Sequence, residues 1–220
     1  FSGGTEAIRY FVNGDVLNQG GQYKSGDLKF RRYQLRSNLD IKINDWIDLG
    51  VDIYGASGKR IQPGASRTWI FRHFQLAFPT EVGQYPNGLY GVAAEDGANP
   101  GVMSSFESGS VDERDSELRT RFNLDLDLDF ITEGLGLNAN TTIIQRNGDT
   151  KNFQRPWMVY GYNPTTDEYV PQVGFNFNNG KFFSVEESFS KYNEEYYNAQ
   201  LNYDRTFNDV HTLRAFVAME

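Results

Sequence analysis

No cysteine occurs in this chain of 220 residues. Disulfides, zinc ribbons and thiol catalysis are thereby excluded. Histidine is nearly as scarce, with only His73 and His211. No Ser-His-Asp relay can be assigned from them, and each is read as structural. Long apolar runs are also missing: no stretch of about 18 apolar residues marks a transmembrane helix. The opening FSGGTEAIRY has no basic region followed by an apolar one, so it is not a signal peptide. Either the protein is not exported, or the chain is a piece whose start is missing. Positive charge is in deficit. The 21 Lys and Arg against 29 Asp and Glu give a net charge of -8, which argues against nucleic-acid binding.

What the chain does have is aromatic residues and strict alternation. Phe and Tyr number 17 and 13, a richness that suits strands, interfaces and sugar-stacking surfaces equally. In RFNLDLDLDF, residues 121–130, Leu124, Leu126 and Leu128 interleave with Asp125, Asp127 and Asp129. Successive strand residues point to opposite faces, whereas a helix scatters both sets around its circumference. The same pattern sets Tyr33, Leu35, Leu39, Ile41 and Ile43 against Arg32, Gln34, Arg36, Asp40 and Lys42. It sets Leu49, Val51 and Ile53 against Asp48, Asp52 and Tyr54, and Leu135, Leu137 and Ile143 against Asn138 and Asn140. Looser alternation runs through Ile8–Asn13, EYYNAQLNYDRTF and TLRAFVAM. The expectation is an all-β chain of about seven strands, several longer than the usual five or six residues.

The connections alternate between short and long. NDW, ITEG and NDVH are tight turns with the Asn, Asp or Gly that turns need. The stretches 15–27, 55–117 and 146–190 read as long loops holding nearly all the proline. A soluble sandwich has no reason to sort short turns to one end, whereas a transmembrane barrel places them on the periplasmic side. Strands 28–43 and 118–130 then descend from the outside. Arg32, Arg36, Arg119 and Arg121 lie near their tops, and Asp40, Asp125, Asp127 and Asp129 near their bottoms, all facing a polar lumen. Leu35, Leu39, Ile41, Leu49, Val51, Leu124, Leu126, Leu128 and Leu137 would face lipid. Ile43 opposite Ile47 puts Lys42 opposite Asp48; across ITEG, Phe130 would face Leu135 and Leu128 would face Leu137. Trp46 is placed for an interfacial aromatic girdle. One loop helix is expected near 67–78, with Ser66 as N-cap, Ile70, Phe71, Phe74 and Phe78 at helical spacing, and Pro79 as its stop.

Little points to bond chemistry, and no enzyme, cofactor or metal is expected. Asp125, Asp127 and Asp129 invite a calcium loop, but Phe130 and Gly136 stand where it needs Gly and Glu. The paired Glu of VEESF and NEEYY are too ordinary for a glycosidase assignment, and GLGLNA lacks the closing glycine of a dinucleotide fingerprint. Trp69, Tyr85, Tyr90, Trp157, Tyr160 and Tyr162 are read either as loop packing or as a surface that stacks on a sugar or covers a peptide.

Several stretches together resemble the TonB-linked outer-membrane transporters of the SusC/RagA type. FSGGTEAIRYFVNGDVLNQGG is similar to that family's opening barrel strand, with Gly3-Gly4-Thr5, Tyr10 and Gln19-Gly20. FRRYQLRSNLDIKINDWIDLGVDIYG resembles its next hairpin through Arg36, Asn38, Asp45-Trp46 and Leu49-Gly50. AFPTEVGQYPNGLYG (Pro79, Asn87-Gly88, Tyr90), NPGVMSSFESG (Asn99-Pro100, Gly109) and the closing LNYDRTFNDVHTLRAFVAME also fit. The resemblance implies 22-stranded barrels closed by an N-terminal plug. It implies uptake of glycans or peptides at the Gram-negative outer membrane, driven by TonB–ExbB–ExbD and shared with a SusD-like surface lipoprotein. Residues 1–220 would be the first part of such a barrel, without plug, TonB box or the remaining strands. A soluble carbohydrate-binding β-sandwich and a passive porin are the rival readings.

Overall fold

In a computed structural model, residues 1–93, 98–173 and 182–220 are described. Parts of two expected loops, 94–97 and 174–181, lie outside that set. One antiparallel sheet dominates, with eight strands in the order β1-β2-β3-β4-β5-β6-β9-β10. They are β1 (Ser2–Gly4), β2 (Ile8–Gly20), β3 (Lys29–Asn44), β4 (Ile47–Pro63), β5 (Gly109–Asp127), β6 (Leu135–Gln154), β9 (Ser184–Phe207) and β10 (His211–Met219). Sequence neighbours pair throughout, except that the hairpin of β7 (Met158–Asn163) and β8 (Glu168–Val173) is set aside between β6 and β9.

All seven expected strands are present, but they are longer than their alternation suggested. Strand β5 runs 19 residues, β6 runs 20 and β9 runs 24. The extra length lies on the long-loop side, where both faces turn polar and the hydrophobic period fades. The supposed loops 15–27, 55–117 and 146–190 are therefore partly strand, leaving residues 21–28, 64–108 and 155–183 as connections.

The short turns fix register. Lys42 lies opposite Asp48 as expected, but Asn44 rather than Ile43 pairs with Ile47, so Ile43 is bulged out of the ladder. Asn44 Oδ1 accepts from the Trp46 N–H at 3.0 Å, which tightens this turn. The turn after β5 begins earlier than read. Leu126 pairs with Leu137, and the Leu128 N–H donates to the Leu135 carbonyl at 2.9 Å rather than Leu128 lying opposite Leu137. Leu128, Asp129 and Phe130 thus leave the strand. Asp127 and Asp129 side chains turn inward to cap the loop, with Asp129 Oδ1 accepting from the Gly134 N–H at 2.6 Å. At the last turn Asn208 and Asp209 take φ of 54° and 57°, which these side chains tolerate.

The hydrophobic core is not in the sheet. It lies in the module built by the long connections: Ala65, Ile70, Ala98, Val102, Met103, Trp157 and Val159, with Tyr23, Trp69, Tyr90 and Val92 packed against it. Helix α1 (Arg67–Leu76) has Ser66 as its cap, as expected, with Ser66 Oγ accepting from Trp69 N–H at 3.4 Å. Only Ile70 and His73 of that helix are buried; Phe71, Phe74 and Phe78 are exposed. A one-turn helix α2 (Pro100–Met103) and a short 3-10 turn lead into β5. No helix is long and apolar enough to cross a membrane among the described residues.

Gly134 carries the turn between β5 and β6. Its φ is +84°, and a Cβ there would stand 2.0 Å from the Asp204 carbonyl oxygen, a backbone atom on the neighbouring strand. Gly134→Ala is expected to destabilise the intact barrel by at least about 1–3 kcal/mol. The urea refolding midpoint measures it, and an unchanged midpoint contradicts this turn.

Candidate functional site: a tiered polar face beneath an aromatic module

Register sorts the side chains of the sheet into two faces. One carries Leu35, Leu39 and Ile41 of β3, Leu49 and Val51 of β4, Leu124 and Leu126 of β5, and Leu137 of β6. The other carries Arg32, Arg36, Asp40, Arg119, Arg121, Asp125 and Asp127. Two candidates separate from their sets, because Leu128 and Asp129 belong to the turn. The row of three aspartates is therefore not formed along one strand face.

The polar face has three tiers. Nearest the short turns lies a tier of carboxamides and carboxylates. Asn123, Asn140 and Asn198 are cross-strand neighbours, and Asn138 lies between Asp125 and Gln200. The Asn138 amide donates to Asp125, and the Asn140 amide to Asn198 Oδ1 at 3.4 Å. Above it sits a cationic tier of Arg36, Arg119, Arg121 and Arg146. Arg36, Arg119 and Arg121 line a concavity of about 550 Å3 together with Asp52, Tyr54 and Glu117. Glu117 bridges two of these cations, Arg119 at 2.8 Å and Arg146 at 3.3 Å. Arg32 donates to Tyr54 Oη at 3.0 Å, and that hydroxyl donates to Gln34 Oε1 at 3.0 Å. The third tier is mixed: Glu113 pairs with Arg60 at 3.1 Å, and Asp115 lies in the register row of Arg32. The simple Arg-to-Asp gradient read from sequence therefore covers only the lower two tiers, because β5 continues above Arg119. The carboxamide tier was overlooked, although Asn recurring at alternate positions in LNANTT and NAQLN is its signal.

The module at the other end gathers the aromatic candidates and divides them. Trp157 is 7% exposed and belongs to the core, which is the loop-packing one of its two readings. Trp69 is half-buried, stacks on His73 with ring centroids 5.4 Å apart, and lies beneath the Arg72 guanidinium at 4.9 Å. Tyr90 packs on the core, and its carbonyl accepts from the Tyr160 N–H at 2.8 Å, tying the β7–β8 hairpin to the loop. The remaining two meet a partner that sequence reasoning missed. Tyr169 takes Tyr85 edge-on at 4.9 Å and Tyr162 at 5.2 Å. Tyr162 Oη donates to Asp167 Oδ1 at 2.8 Å, and this carboxylate holds the phenol pKa above its ordinary value. A fixed patch of three tyrosines results, with faces available to stack on a sugar or a peptide. Among the described residues no group of three or more His, Asp or Glu is arranged to hold a metal ion.

Asn99 is the keystone of this module. It is 2% exposed, and its amide donates to the Gly83 and Gly91 carbonyls, each at 2.8 Å. Its Oδ1 accepts from the Gly101 N–H at 2.8 Å, so one side chain joins three backbone segments.

No protein-family model matches the chain, and no curated protein matches it. Solved structures do match, and they define the fold: the chain is similar to a section of barrel wall in outer-membrane transporters. One such likeness is to the structure of the RagAB peptide transporter. That similarity has a TM-score of 0.64 and 17% identity over 99% of this chain. The outer membrane transporter YddB from Escherichia coli is similar over 97% of the chain at 8% identity and a TM-score of 0.44, covering 25% of YddB. The closed form of the ferric-catecholate import receptor Fiu from K12 E. coli is similar over 92% at 10% identity and a TM-score of 0.43, covering 26% of Fiu. This chain spans 23% of the RagAB chain it matches. The resemblance read from the residues is thus met by a likeness of fold to a RagA-type structure.

Asn99→Ala strips partners from two carbonyls and one N–H in the module. The expected cost is about 1–3 kcal/mol for each group left buried and unpaired. Limited proteolysis should then nick the 64–108 connection while the barrel wall stays intact. Wild-type resistance in the variant would remove Asn99 from this role.

Proposed function

We propose that this chain is part of the barrel of a SusC/RagA-type TonB-dependent transporter that imports nutrients across the Gram-negative outer membrane. One observation carries the reading: among the described residues nothing covers the apolar face of the sheet. Leu35 is 54% exposed, Leu118 45% and Phe122 40%. A soluble sandwich would cover these side chains with a second sheet, and among the described residues the only other sheet is the two-stranded β7–β8 hairpin. An uncovered apolar face of this extent needs another apolar phase, and a bilayer supplies it. The stripes from Tyr33 to Ile41 and from Leu118 to Leu126 have the roughly 9–11 residues that a tilted strand needs to cross. Trp46 and Phe130, 5.6 Å apart at the short-turn end, fit the periplasmic girdle.

On this reading Arg32, Arg36, Asp40, Arg119, Arg121, Asp125 and Asp127 face the lumen. The aromatic module stands at the extracellular mouth. Tyr85, Tyr162 and Tyr169 offer stacking faces to substrate. The exposed Phe71, Phe74 and Phe78 offer contact to a SusD-like lipoprotein. The work is binding and gated passage, with no bond made or broken, and coupling to TonB–ExbB–ExbD runs through segments other than these. Glycans and peptides are the two substrate classes; the likeness to a peptide transporter makes peptides the first to test.

Phe122→Arg, at the middle of the Leu118–Leu126 stripe, is expected to block assembly of the intact protein, costing about 2–4 kcal/mol at mid-membrane, whereas Asp125→Asn inserts normally. Heat-modifiable gel mobility reads both, and normal insertion of F122R would defeat the lipid-facing assignment. Uptake of oligopeptides or oligosaccharides by expressing cells is expected to stop when TonB is deleted. Undiminished uptake would make the protein a passive pore.

A further inference from the structure

The lipid-facing side of the sheet changes character abruptly above Tyr33, and the first residues beyond that line are cations. Arg31 pairs in register with Lys59, and Lys59 with Arg114, so three positive side chains stand in one row across β3, β4 and β5. Lys29 lies two residues above Arg31 on the same face. Like charges directly opposite one another destabilise a sheet. Their local compensation is lopsided. Asp112 reaches Lys59 Nζ at 3.0 Å and Arg114 Nε at 3.4 Å, and Asp149 lies opposite Arg114. Neither Lys29 nor Arg31 has a carboxylate partner among the described residues; the Arg31 Nε–H donates instead to the neutral Asn18 Oδ1 at 2.6 Å. The row is thus left with positive charge on its β2 side.

The same place is hollow. A concavity of about 570 Å3 opens on this face, lined by Asn18, Lys29, Arg31, Tyr33, Ser57 and Lys59 among others. Gly20 and Ser57 leave room in it, and a Cβ added at Gly20 would meet nothing within 4 Å. Cations therefore stand around an open cup, and the cup sits at the upper edge of the apolar stripe. A ligand that fits it carries negative charge at the height of the membrane surface and apolar chains directly below.

We propose that this cup binds the phosphate-bearing headgroup of an outer-leaflet lipid, with Arg31, Lys29 and Lys59 on the phosphate and Tyr33 against the start of the acyl region. Guanidinium forks and ammonium donors are the groups that hold phosphate. Charge complementarity and position both select a lipid over a soluble anion, which would gain nothing from the apolar stripe beneath. The inference rests on the reading of that stripe as lipid-facing.

The test uses the intact transporter in detergent, with diphosphoryl lipid A as probe and native mass spectrometry as readout. Wild-type protein should retain one lipid. The K29Q/R31Q/K59Q variant should retain it about tenfold less, the scale of one lost charge-assisted contact. Dephosphorylated lipid A should bind as poorly to wild type as lipid A does to the variant, and excess inorganic phosphate should not displace the lipid. Gly20→Phe fills the cup without removing charge and should lower retention alike, so it decides the matter if the triple variant fails to assemble. Unchanged retention in an assembled variant overturns the proposal, as does displacement by inorganic phosphate alone, which would mark a free-anion site. Failure of the underlying reading shows separately, as normal insertion of Phe122→Arg.

Discussion

Everything in this structure depends on one continuous antiparallel ladder from β2 to β10. In a pleated strand the face of each side chain follows from register alone, and a slip of one residue would exchange the two faces. Three tight turns hold that register, through Asn44 at the first, Asp129 with Gly134 at the second, and Asn208 with Asp209 at the third. Once they are set, the leucines of five neighbouring strands fall on one side, and Arg36, Arg119, Arg121, Asp125, Asn138 and Asn140 on the other. Backbone hydrogen bonding is satisfied strand to strand, which is the condition any spanning structure must meet where water is absent.

The consequence is a protein with its soluble-type core in an unusual place. The sheet buries almost nothing of its own; the tightly packed residues, Met103, Val102 and Val159, sit in the module between strands. Wall and module therefore follow different physics. The wall relies on backbone pairing and on the phase that covers its leucines. The module is a small globular unit held by apolar packing and by the three hydrogen bonds of Asn99.

Much of the wall was legible in the sequence because period-two alternation is a direct record of two unlike environments. RFNLDLDLDF reports both faces of β5 residue by residue. Where both environments are aqueous, the record stops: the upper halves of β4, β5, β6 and β9 carry polar residues on either side, and so read as loop. The turn after β5 misled for a related reason. Leu128 and Phe130 continue the alternation past the point where Asp127 and Asp129 have begun to cap the turn. Among the aromatics, composition alone could not separate Trp157, which fills the core, from Tyr162, which is exposed. Only the tertiary contacts of the β7–β8 hairpin do that. The Tyr85–Tyr169–Tyr162 patch was hidden because its members lie far apart in the chain.

The central claim is that one strand of this sheet touches lipid and water on alternate residues. The absence of native cysteine makes single-cysteine labelling of this segment direct. Spin labels placed one at a time from Arg121 to Leu126 in the intact, membrane-embedded barrel measure it. The account predicts high accessibility to oxygen at 122, 124 and 126, and high accessibility to a water-soluble nickel chelate at 121, 123 and 125. Nickel accessibility at every position, or the opposite alternation, would contradict it.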